Sequence, residues 1–568
     1  MATEKSTGTK KTDIERIWLK SYPEGVPAEI GPLKFSSVAE LFTSSCERYG
    51  DKPAFICMGK TLSFHEVNDI STDFAAWLQS CNLAKGDRVA IMVPNILQYP
   101  IVVAGILRAG LVVVNVNPLY TVRELKHQLE DSGAKAIVVL ENFAETVEAV
   151  AKDVHLEHVV VTSMGDMLGL KGHVVNFVVR HIKKMVKPWN LPGHVTFKSV
   201  LAVGAQRKFQ PVEIDAKDIA FLQYTGGTTG VSKGAALSNS NILSNVSQNS
   251  YWLDVIYRQE GKPEDMVYVC ALPLYHIFAL TVNCLMGMDQ GACNLLIPNP
   301  RDLPSFIGEL AKHEVHVFPG LNTLFIAMMH HKDFGKLDLS SLLLTLGGGM
   351  AVQRPVAQEW KKLTGCNIAE GYGLSETSPV ATANRFDAAE FSGNIGLPLP
   401  STDIAIRDDD GNDMPLGEVG EICIRGPQVM AGYWQRPEAT ELVMTTDGFF
   451  KSGDLGFMNE EGRTKIVDRK KDMILVSGFN VYPNEIEEVA AEHPGILEAA
   501  AIGVADDYSG EVVKLFVVKK DPALTIEDVQ AFCKKNMTGY KRPKFIEFID
   551  DLPKSNVGKV LRRELRDA

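Results

Sequence analysis

The feature that most constrains the fold is a repeated alternation between short β-branched runs and amphipathic stretches of helical length. Residues 88–94, 111–116, 136–140 and 158–162 have the composition of strands, and residues 97–110 have the apolar spacing of a helix. Strands separated by helix-length segments are typical of parallel α/β sheets. The sequence therefore predicts an α/β fold over most of its length.

Composition narrows the function classes. The 568 residues include 58 Lys+Arg and 70 Asp+Glu, a net charge of −12, with 45% hydrophobic and 23% charged residues. Such values are ordinary for soluble globular proteins, and they argue against disorder. An acidic surface disfavours nucleic acid, because phosphate neutralisation needs a basic field. The nine cysteines form no Cys-x-x-Cys pair, and residues 1–20 show no secretory signal, so we expect a cytoplasmic location.

The pattern of expected secondary structure changes twice in the last third of the chain. From about residue 393, short strands alternate with turns, which predicts a β-rich subdomain over 393–468. The five consecutive charges at 468–472 then precede an α+β stretch of about 100 residues. We expect a large N-terminal domain over 1–468 and a small C-terminal domain over 469–568.

Two segments raise the question of a membrane. Residues 266–288 carry no Asp, Glu, Lys or Arg over 23 residues, but Pro273, His276 and Asn283 interrupt them, so a buried strand with a core helix is favoured over a bilayer span. Residues 171–187 carry five Lys/Arg and no acid, with apolar residues at helical spacing. This segment fits either a basic amphipathic helix at a bilayer interface or a surface helix that packs its apolar face inward.

The most informative motif is Tyr-Thr-Gly-Gly-Thr-Thr-Gly-Val-Ser-Lys-Gly at 224–234, which follows an apolar strand. Glycines let backbone N–H groups curl around an anion, and Lys233 supplies a positive charge for phosphate oxygens. The lysine follows Ser232, so the loop is not a Walker A motif, and no G-x-G-x-x-G follows a strand. The loop predicts a phosphate site that differs from those of P-loop ATPases and Rossmann dehydrogenases.

Further motifs follow this loop in order: Gly347-Gly-Gly-Met350, Glu370-Gly-Tyr-Gly-Leu-Ser-Glu-Thr377, Ser452-Gly-Asp-Leu455, Asp468-Arg-Lys-Lys-Asp472 and Ser555-Asn-Val-Gly-Lys559. Together they resemble the adenylate-forming superfamily, which contains acyl-CoA synthetases, peptide-synthetase adenylation domains and firefly luciferases. Segments 272–280, 426–436 and 466–483 are particularly similar to bacterial long-chain fatty acyl-CoA synthetases. The resemblance runs from about Ile17 to the C-terminus.

The resemblance implies a fold and an activity. The fold would be a large N-terminal domain of α/β subdomains plus a β-rich subdomain, followed by a mobile α+β C-terminal domain with a hinge near Lys471. The activity would be the ATP-dependent conversion of a long-chain fatty acid into acyl-CoA through an acyl-adenylate, with AMP and pyrophosphate released. ATP, Mg²⁺ and coenzyme A would then be the cofactors and co-substrates.

The resemblance also assigns roles to residues. The catalytic set would be Lys559, Thr225, Glu376 and His276, with Thr225 and Glu376 as the Mg²⁺ ligands. Nucleotide and CoA binding would involve Tyr224, Thr225, Gly226, Gly227, Thr228, Thr229, Gly230, Lys233, Gly348, Gly349, Tyr372, Asp454, Arg469, Lys471 and Gly478. The acyl tail would contact residues of the segments at 278 and 317–324.

Several points stay open in the sequence. A medium-chain or aryl acid–CoA ligase, or a non-catalytic lipid-binding relative, is the alternative function. Asn239-Ser240 stands where many relatives carry a histidine–arginine pair. The interfacial interpretation of 171–187 would attach the protein to the inner face of the cytoplasmic membrane. Chain-length preference, regulation and a homodimeric state are left undecided.

Overall fold

The computed structural model describes residues 15–225, 232–506, 508–555 and 558–566. Its strands are β1 Pro53–Cys57, β2 Lys60–Ser63, β3 Arg88–Met92, β4 Val112–Asn115, β5 Ala134–Leu140, β6 His158–Thr162, β7 Val195–Thr196, β8 Ile219–Thr225, β9 Lys233–Ser238, β10 Val267–Cys270, β11 Cys293–Leu296, β12 Val317–Gly320, β13 Leu344–Gly347, β14 Ile368–Gly373, β15 Val380–Ala383, β16 Leu397–Pro398, β17 Asp403–Arg407, β18 Gly420–Arg425, β19 Gly432–Tyr433, β20 Phe450–Met458, β21 Thr464–Arg469, β22 Ile474–Val476, β23 Phe479–Val481, β24 Ile496–Asp506, β25 Gly510–Lys519 and β26 Phe545–Phe548.

Helices connect most of these strands. They are α1 Val38–Tyr49, α2 Phe64–Gln79, α3 Gln98–Arg108, α4 Val122–Ser132, α5 Ala144–Val150, α6 Leu170–Phe177, α7 Phe197–Gly204, α8 Asn239–Glu260, α9 Ile277–Ala279, α10 Met286–Gln290, α11 Leu303–Leu310, α12 Asn322–Met329, α13 Arg354–Thr364, α14 Pro437–Val443, α15 Pro483–Ala491, α16 Ile526–Asn536 and α17 Arg562–Arg566.

Two large sheets form the body of the protein. The nine-stranded sheet has the order β16-β15-β14-β13-β12-β10-β11-β1-β2, and the eight-stranded sheet has the order β19-β9-β8-β4-β3-β5-β6-β7. The central strands of each sheet are parallel, whereas antiparallel pairs such as β1 with β2 and β8 with β9 lie towards the edges. The prediction of a parallel α/β architecture is confirmed.

A shared core joins the two sheets. Phe55 of the nine-stranded sheet and Val89 of the eight-stranded sheet belong to one buried cluster. The next residue along β3, Ala90, belongs to a different cluster on the opposite face, because successive side chains of a strand alternate between faces. Both faces of the sheet are therefore covered, which explains why its strands are almost continuously apolar.

Two smaller sheets follow in the sequence. The four-stranded antiparallel sheet β17-β18-β20-β21 spans the region in which a β-rich subdomain was predicted. After β21, the chain enters a sheet with the order β23-β22-β25-β24, in which β26 pairs with β25. Helices α15 and α16 pack on this last sheet, and the α+β unit has its own buried cluster around Val481 and Leu515. The fold class is a large N-terminal α/β domain with a β-rich part, followed by a smaller C-terminal domain.

The uncharged segment 266–288 folds inside the large domain. It forms β10, α9, a π-helix over Leu280–Leu285 and the start of α10, and most of its side chains are buried. The predicted combination of a buried strand and a core helix is therefore confirmed. Across the described ranges, each helix is too short or too polar to cross a bilayer.

The basic amphipathic segment has an unexpected orientation. Helix α6 and the π-helix Val178–Ile182 bury Gly172, Asn176 and Val179, while the large apolar side chains face outward. The exposed set is Leu170, Val174, Phe177, Ile182 and Met185. The inward-packing alternative is therefore wrong, because the buried face of this segment is the narrow face of small residues.

Candidate active site

The candidate site lies where the central strands of the nine-stranded sheet end. Strands β10, β12, β13 and β14 are parallel, so the loops that follow them leave the same edge of the sheet. These loops carry His276, Leu321, Gly348 and Glu376. The carboxyl edge of a parallel sheet is the usual place for a ligand site in α/β proteins.

The two ends of the glycine-rich loop are held at this edge by the eight-stranded sheet. Thr225 is the last residue of β8 and pairs with Lys233, the first residue of β9. The Ser232 hydroxyl donates to the Thr225 carbonyl at 2.7 Å, and the Tyr224 hydroxyl donates to Asp131 at 2.7 Å. Gly226, Gly227, Thr228, Thr229 and Gly230 lie outside the described residues.

Glu376 is a buried carboxylate on a 3-10 turn between β14 and β15. The turn lies against β8 and β9, so it is next to both ends of the loop. Its Oε1 accepts the Tyr433 hydroxyl at 2.8 Å. Burial raises the pKa of Glu376, and the hydrogen bond from Tyr433 opposes this rise because it favours the charged form.

Tyr372 and Asp454 form one side of the site. The Tyr372 hydroxyl donates to Asp454 Oδ2 at 2.7 Å, and Arg469 lies 3.8 Å from the other carboxylate oxygen. Burial raises the pKa of Asp454, whereas the tyrosine hydrogen bond and the arginine charge lower it. Because Asp454 and Arg469 are opposite residues in the pairing of β20 with β21, the β-rich sheet sets their separation.

Gly348 and Gly349 form a surface without side chains between these groups. A Cβ at Gly348 would lie 2.9 Å from the Phe278 ring, and Gly349 has a φ of 74°, which disfavours other residues. A Cβ at Gly349 would lie 3.5 Å from Cε of Lys559. The two glycines therefore leave room for a flat group close to the backbone and bring the lysine stem near it.

Lys559 reaches this site from the C-terminal domain. Its charge interacts with Arg469, Asp454 and Glu376, so its ammonium is near both acidic groups. Burial, with the repulsion of Arg469, lowers the pKa of Lys559 to about 8, and the two carboxylates oppose that shift. Its backbone N–H donates to the Ser555 hydroxyl at 3.1 Å. Asn556 and Val557 of the same motif are not among the described residues.

His276 is the histidine of the site and lies close enough to Lys559 to be affected by its charge. Its Nδ1 accepts the backbone N–H of Phe278 at 3.3 Å and so caps α9. Burial, with the positive charge of Lys559, lowers the pKa of His276 to about 3. The imidazole is therefore neutral at physiological pH, and its Nε2 is the ring atom left to contact a polar group.

The last two predicted residues lie at the start of the C-terminal domain. Lys471 is exposed and lies between β21 and β22, where the chain passes into the C-terminal domain. Gly478 is in the turn between β22 and β23, has a φ of 85° and has no atom within 4 Å of its Cβ position. The structure thus brings together His276, Tyr372, Glu376, Asp454, Arg469 and Lys559, and it places Lys471 close enough for its charge to act on Asp454. Gly478 is not part of this group.

Sequence reasoning assigned no role to Tyr433 or Arg436, although both lie in the quoted segment 426–436. Tyr433 bonds Glu376, and Arg436 forms an ion pair with Asp131, the partner of Tyr224. The sequence signal that could have indicated their roles was an aromatic residue and a basic residue close together in this segment. The Asn239 side chain instead bonds the backbone of Val38 and Asp218, so it supports packing outside this site.

Comparison with known proteins identifies the class that this fold and site define. The AMP-binding enzyme family matches residues 42–434, and the AMP-binding enzyme C-terminal domain matches residues 485–559. The chain therefore belongs to the AMP-binding enzyme family, whose members use ATP and CoA.

Particular relatives are similar over nearly the whole chain. A long-chain-fatty-acid–CoA ligase of Escherichia coli O6:H1 is 54% identical over 98% of this chain and 98% of its own, and one of Bacillus subtilis is 38% identical over 97% and 98%. A crystal structure of ATP-bound MatB from Rhodopseudomonas palustris has a TM-score of 0.80 and 28% identity, covering 93% of this chain and 98% of that chain. The anthranilate CoA ligase AuaEII has a TM-score of 0.83 at 23% identity, with 94% and 98% covered, and so supports the fold alone.

Proposed function

We propose that the protein activates long-chain fatty acids to acyl-CoA, with ATP converted to AMP and pyrophosphate through an acyl-adenylate. The observation that carries this proposal is the convergence of Lys559, Glu376 and His276 beside the Tyr372–Asp454 pair. The similarity to long-chain-fatty-acid–CoA ligases over nearly the full chain supports the substrate class and does not favour a medium-chain or aryl acid.

In the first half-reaction, a carboxylate oxygen of the fatty acid attacks the α-phosphorus, and pyrophosphate leaves with the bonding electrons. Negative charge accumulates on the α-phosphate, so the Lys559 ammonium is the group that stabilises the transition state. Neutral His276 contacts the acyl carboxylate without competing for a proton, since its pKa is about 3. Exclusion of water by the closed C-terminal domain protects the acyl-adenylate from hydrolysis.

The remaining groups hold the nucleotide. Tyr372 stacks on the adenine along the Gly348-Gly349 surface, and Asp454 accepts the ribose hydroxyls with Arg469 beside it. The resemblance assigns Tyr224, Thr225, Lys233 and the loop residues 226–230 to the β- and γ-phosphates. This assignment is supported by the position of both loop ends, which lie next to the turn that carries Glu376.

Glu376 and Thr225 fit a magnesium site. Both offer hard oxygen ligands, and Glu376 has a second carboxylate oxygen beside the one that accepts the Tyr433 hydroxyl. Mg²⁺ is usually held by one or two carboxylates plus phosphate oxygens. Among the described residues, no group of three or more His, Cys, Asp or Glu side chains is placed to hold a metal by itself. When bound, the ion would neutralise charge on the phosphates of ATP.

In the second half-reaction, the CoA sulfur attacks the acyl carbon and AMP leaves. Lys559 has no function in this step, so we propose that the domain over 469–568 rotates about Lys471 away from the large domain 1–468. Gly478, whose turn is exposed, would then line the pantetheine channel. The absence of a side chain there leaves space for a narrow ligand.

The acyl tail would extend into an apolar region beyond Phe278, where the cavity of about 10 Å³ has to widen before a long chain can enter. Its wall includes Val282 and Met286, one and two turns further along the chain, together with Val317 and Leu346 from β12 and β13. Phe318 points to the other face of β12, where it packs against Phe325 and Trp360. Of the tail contacts expected from the sequence, Val317 therefore lines this cavity and Phe318 belongs to the core.

Pyrophosphate release with a series of fatty acids, with and without CoA, tests the proposed function. We expect release to require ATP and a carboxylate, to rise with chain length, and to lead to a thioester when CoA is present. A maximum with aryl or medium-chain acids would support the alternative ligase. No release with any carboxylate would favour a non-catalytic lipid-binding protein.

A second part of the proposal concerns attachment to a membrane. Leu170, Phe177 and Ile182 are 89%, 57% and 65% exposed, which is unusual for large apolar side chains grouped on one short segment. Lys183 and Lys184 lie beside them and form no ion pair with any described residue. Exposed apolar area next to unpaired lysines matches an anionic lipid surface. We propose that residues 170–187 dock there, on the inner face of the cytoplasmic membrane.

The other basic residues of this segment have structural contacts. Arg180 donates to the buried carboxylate of Glu141 at 2.9 Å, and Lys187 lies 2.8 Å from Glu145. The informative variant is therefore Lys183→Glu with Lys184→Glu, rather than a change at Arg180 that would leave Glu141 unpaired. We expect reduced sedimentation with vesicles containing phosphatidylserine, and Lys534→Glu is the control. Unchanged sedimentation would contradict attachment through this surface.

A homodimer stays a hypothesis, which the sedimentation coefficient tests.

A further inference from the structure

Tyr433 contacts two groups of opposite charge at once. Its hydroxyl donates to Glu376 Oε1 at 2.8 Å, and the Lys233 ammonium lies 5.1 Å from the centroid of its ring. A cation at this distance is attracted to the face of an aromatic ring. The same side chain thus contacts the proposed magnesium ligand and the lysine at the end of the phosphate loop.

The backbone around Tyr433 fixes its position on both neighbours. Strand β19 pairs with β9, with Tyr433 opposite Ala235, and the Trp434 N–H donates to the Gly234 carbonyl at 2.8 Å. On the other side, the Met430 N–H donates to the carbonyl of Glu376 at 2.8 Å. Residues 430–436, called the strap below, therefore connect the outgoing strand of the loop to the turn of Glu376.

The strap is also connected to the incoming strand. Arg436 forms an ion pair with Asp131, and Asp131 accepts the Tyr224 hydroxyl at 2.7 Å. Tyr224 immediately precedes Thr225 at the end of β8. Both ends of the phosphate loop are thus joined to the strap, one through Tyr433 and the other through Arg436.

The ring keeps two opposite charges available for ligands. Lys233 forms no ion pair with any described residue, although Glu376 accepts a bond from the same tyrosine. Direct pairing would neutralise both groups and remove them from a metal ion and a phosphate. A neutral side chain that contacts each of them holds the charges close together without pairing them.

From these contacts we infer that Tyr433 is a positioning residue for the metal and pyrophosphate groups of ATP: its hydroxyl orients the Glu376 carboxylate, and its ring orients Lys233. The inference rests on the proposed function of the site. Groups that orient metal ligands in this way commonly change metal affinity by about 10- to 100-fold when they are removed.

Two substitutions separate the two contacts. Tyr433→Phe removes the hydroxyl and keeps the ring, whereas Tyr433→Leu removes both. Tyr22→Phe is a matched control, because the Tyr22 hydroxyl also makes one hydrogen bond, to the Pro398 carbonyl at 2.6 Å, in another part of the molecule. The thermal midpoint of each variant reports on folding.

The first readout is binding and not turnover. Mn²⁺ bound in the presence of an α,β-methylene analogue of ATP is measured by electron paramagnetic resonance. We expect Tyr433→Phe to weaken Mn²⁺ binding about tenfold, and Tyr433→Leu to weaken analogue binding further through Lys233. Tyr22→Phe should bind both like the unaltered protein.

The half-reactions supply the second readout. Tyr433→Phe should raise the metal concentration needed for pyrophosphate release and leave acyl transfer from supplied acyl-adenylate unchanged. Unaltered Mn²⁺ affinity in Tyr433→Phe, or an equal loss in both half-reactions, would overturn the inference. Failure of the proposed function is distinguishable, since the unaltered protein itself would then release no pyrophosphate.

Discussion

Glu376 and Lys559 carry opposite charges in one site, but they are held in different ways. Glu376 is buried on a turn of the nine-stranded sheet, and both its backbone and its carboxylate are bonded to the strap. Lys559 comes from a separate domain, and its loop meets the large domain near Leu321 and Thr323. Under the proposed domain rotation, Glu376 would stay in place for both half-reactions and Lys559 would leave the site between them.

The largest effect is expected at Lys559, which would leave the site when the C-terminal domain rotates. Lys559→Ala removes the cation at the α-phosphate, and loss of one such charge stabiliser typically costs about 10²- to 10³-fold in rate. Adenylation should fall by that factor, whereas thioester formation from supplied acyl-adenylate should stay within about twofold. Rapid-quench measurement of each half-reaction checks this, with exposed Lys534→Ala as the control. Equal losses in the two steps would contradict a mobile lysine.

A smaller effect, present in both half-reactions, is expected at Tyr372, which belongs to the large domain. Tyr372→Phe removes the hydroxyl that bonds Asp454. Hydrogen bonds to charged groups contribute about 1.5–3 kcal/mol, so nucleotide binding should weaken about tenfold or more. The Michaelis constants for ATP and for supplied acyl-adenylate should both rise. A double-mutant cycle with Asp454→Asn measures the coupling, and a change confined to one half-reaction would break the comparison.

The pH dependence of adenylation tests whether Lys559 has to be positively charged. With a Lys559 pKa of about 8, the ammonium is present at pH 7 and is lost as the pH rises through that value. The kcat/KM for adenylation, which reports the free enzyme, should be about fourfold lower at pH 8.5 than at pH 7. Lys559→Arg should move the alkaline limb beyond pH 10, because guanidinium keeps its proton there. If the alkaline decrease in kcat/KM is unchanged in Lys559→Arg, a group other than Lys559 causes it.

The last prediction concerns stability, with no effect expected on the catalytic rate. Glu370 lies on the same strand as Tyr372, and burial raises its pKa to about 8, although the Val352 N–H donates to Oε1. The folded protein then holds a proton that the unfolded chain releases above about pH 4.3. Stability should therefore fall as pH rises from 5 to 8, by at most about 1.4 kcal/mol per unit. Glu370→Gln should reduce this slope in thermal unfolding, and exposed Glu441→Gln should not. Equal slopes would contradict the prediction.

Regular elements were largely predictable from the sequence. The strand over His158–Thr162 lies where its composition predicted it, and the strands Asp403–Arg407 and Gly420–Arg425 lie within the predicted β-rich subdomain. The motif glycines and charged residues also indicated the correct family. Composition predicts the strands of the eight-stranded sheet because that sheet is covered on both faces, so that apolar runs reflect burial directly.

Orientation and long-range contacts were not predictable in the same way. The spacing of Val174 and Ile182 predicted an amphipathic face, but period alone does not tell whether that face meets the core or the solvent. Phe318 and Val317 are adjacent in sequence and point to opposite faces of one strand. Tyr433 is 57 residues from Glu376, so no local pattern joins them.

The sequence by itself determined the α/β class and the family, because the apolar pattern and the order of the motifs can be read along the chain. It also predicted residue types suited to phosphate, metal and carboxylate chemistry. The tertiary structure alone decided which of these groups meet. It brought Lys559 from the C-terminal domain to the edge where β13 and β14 end, and it placed Tyr433 between Glu376 and Lys233. The physical reason is that these contacts depend on sheet order and domain packing, which join residues far apart in the chain.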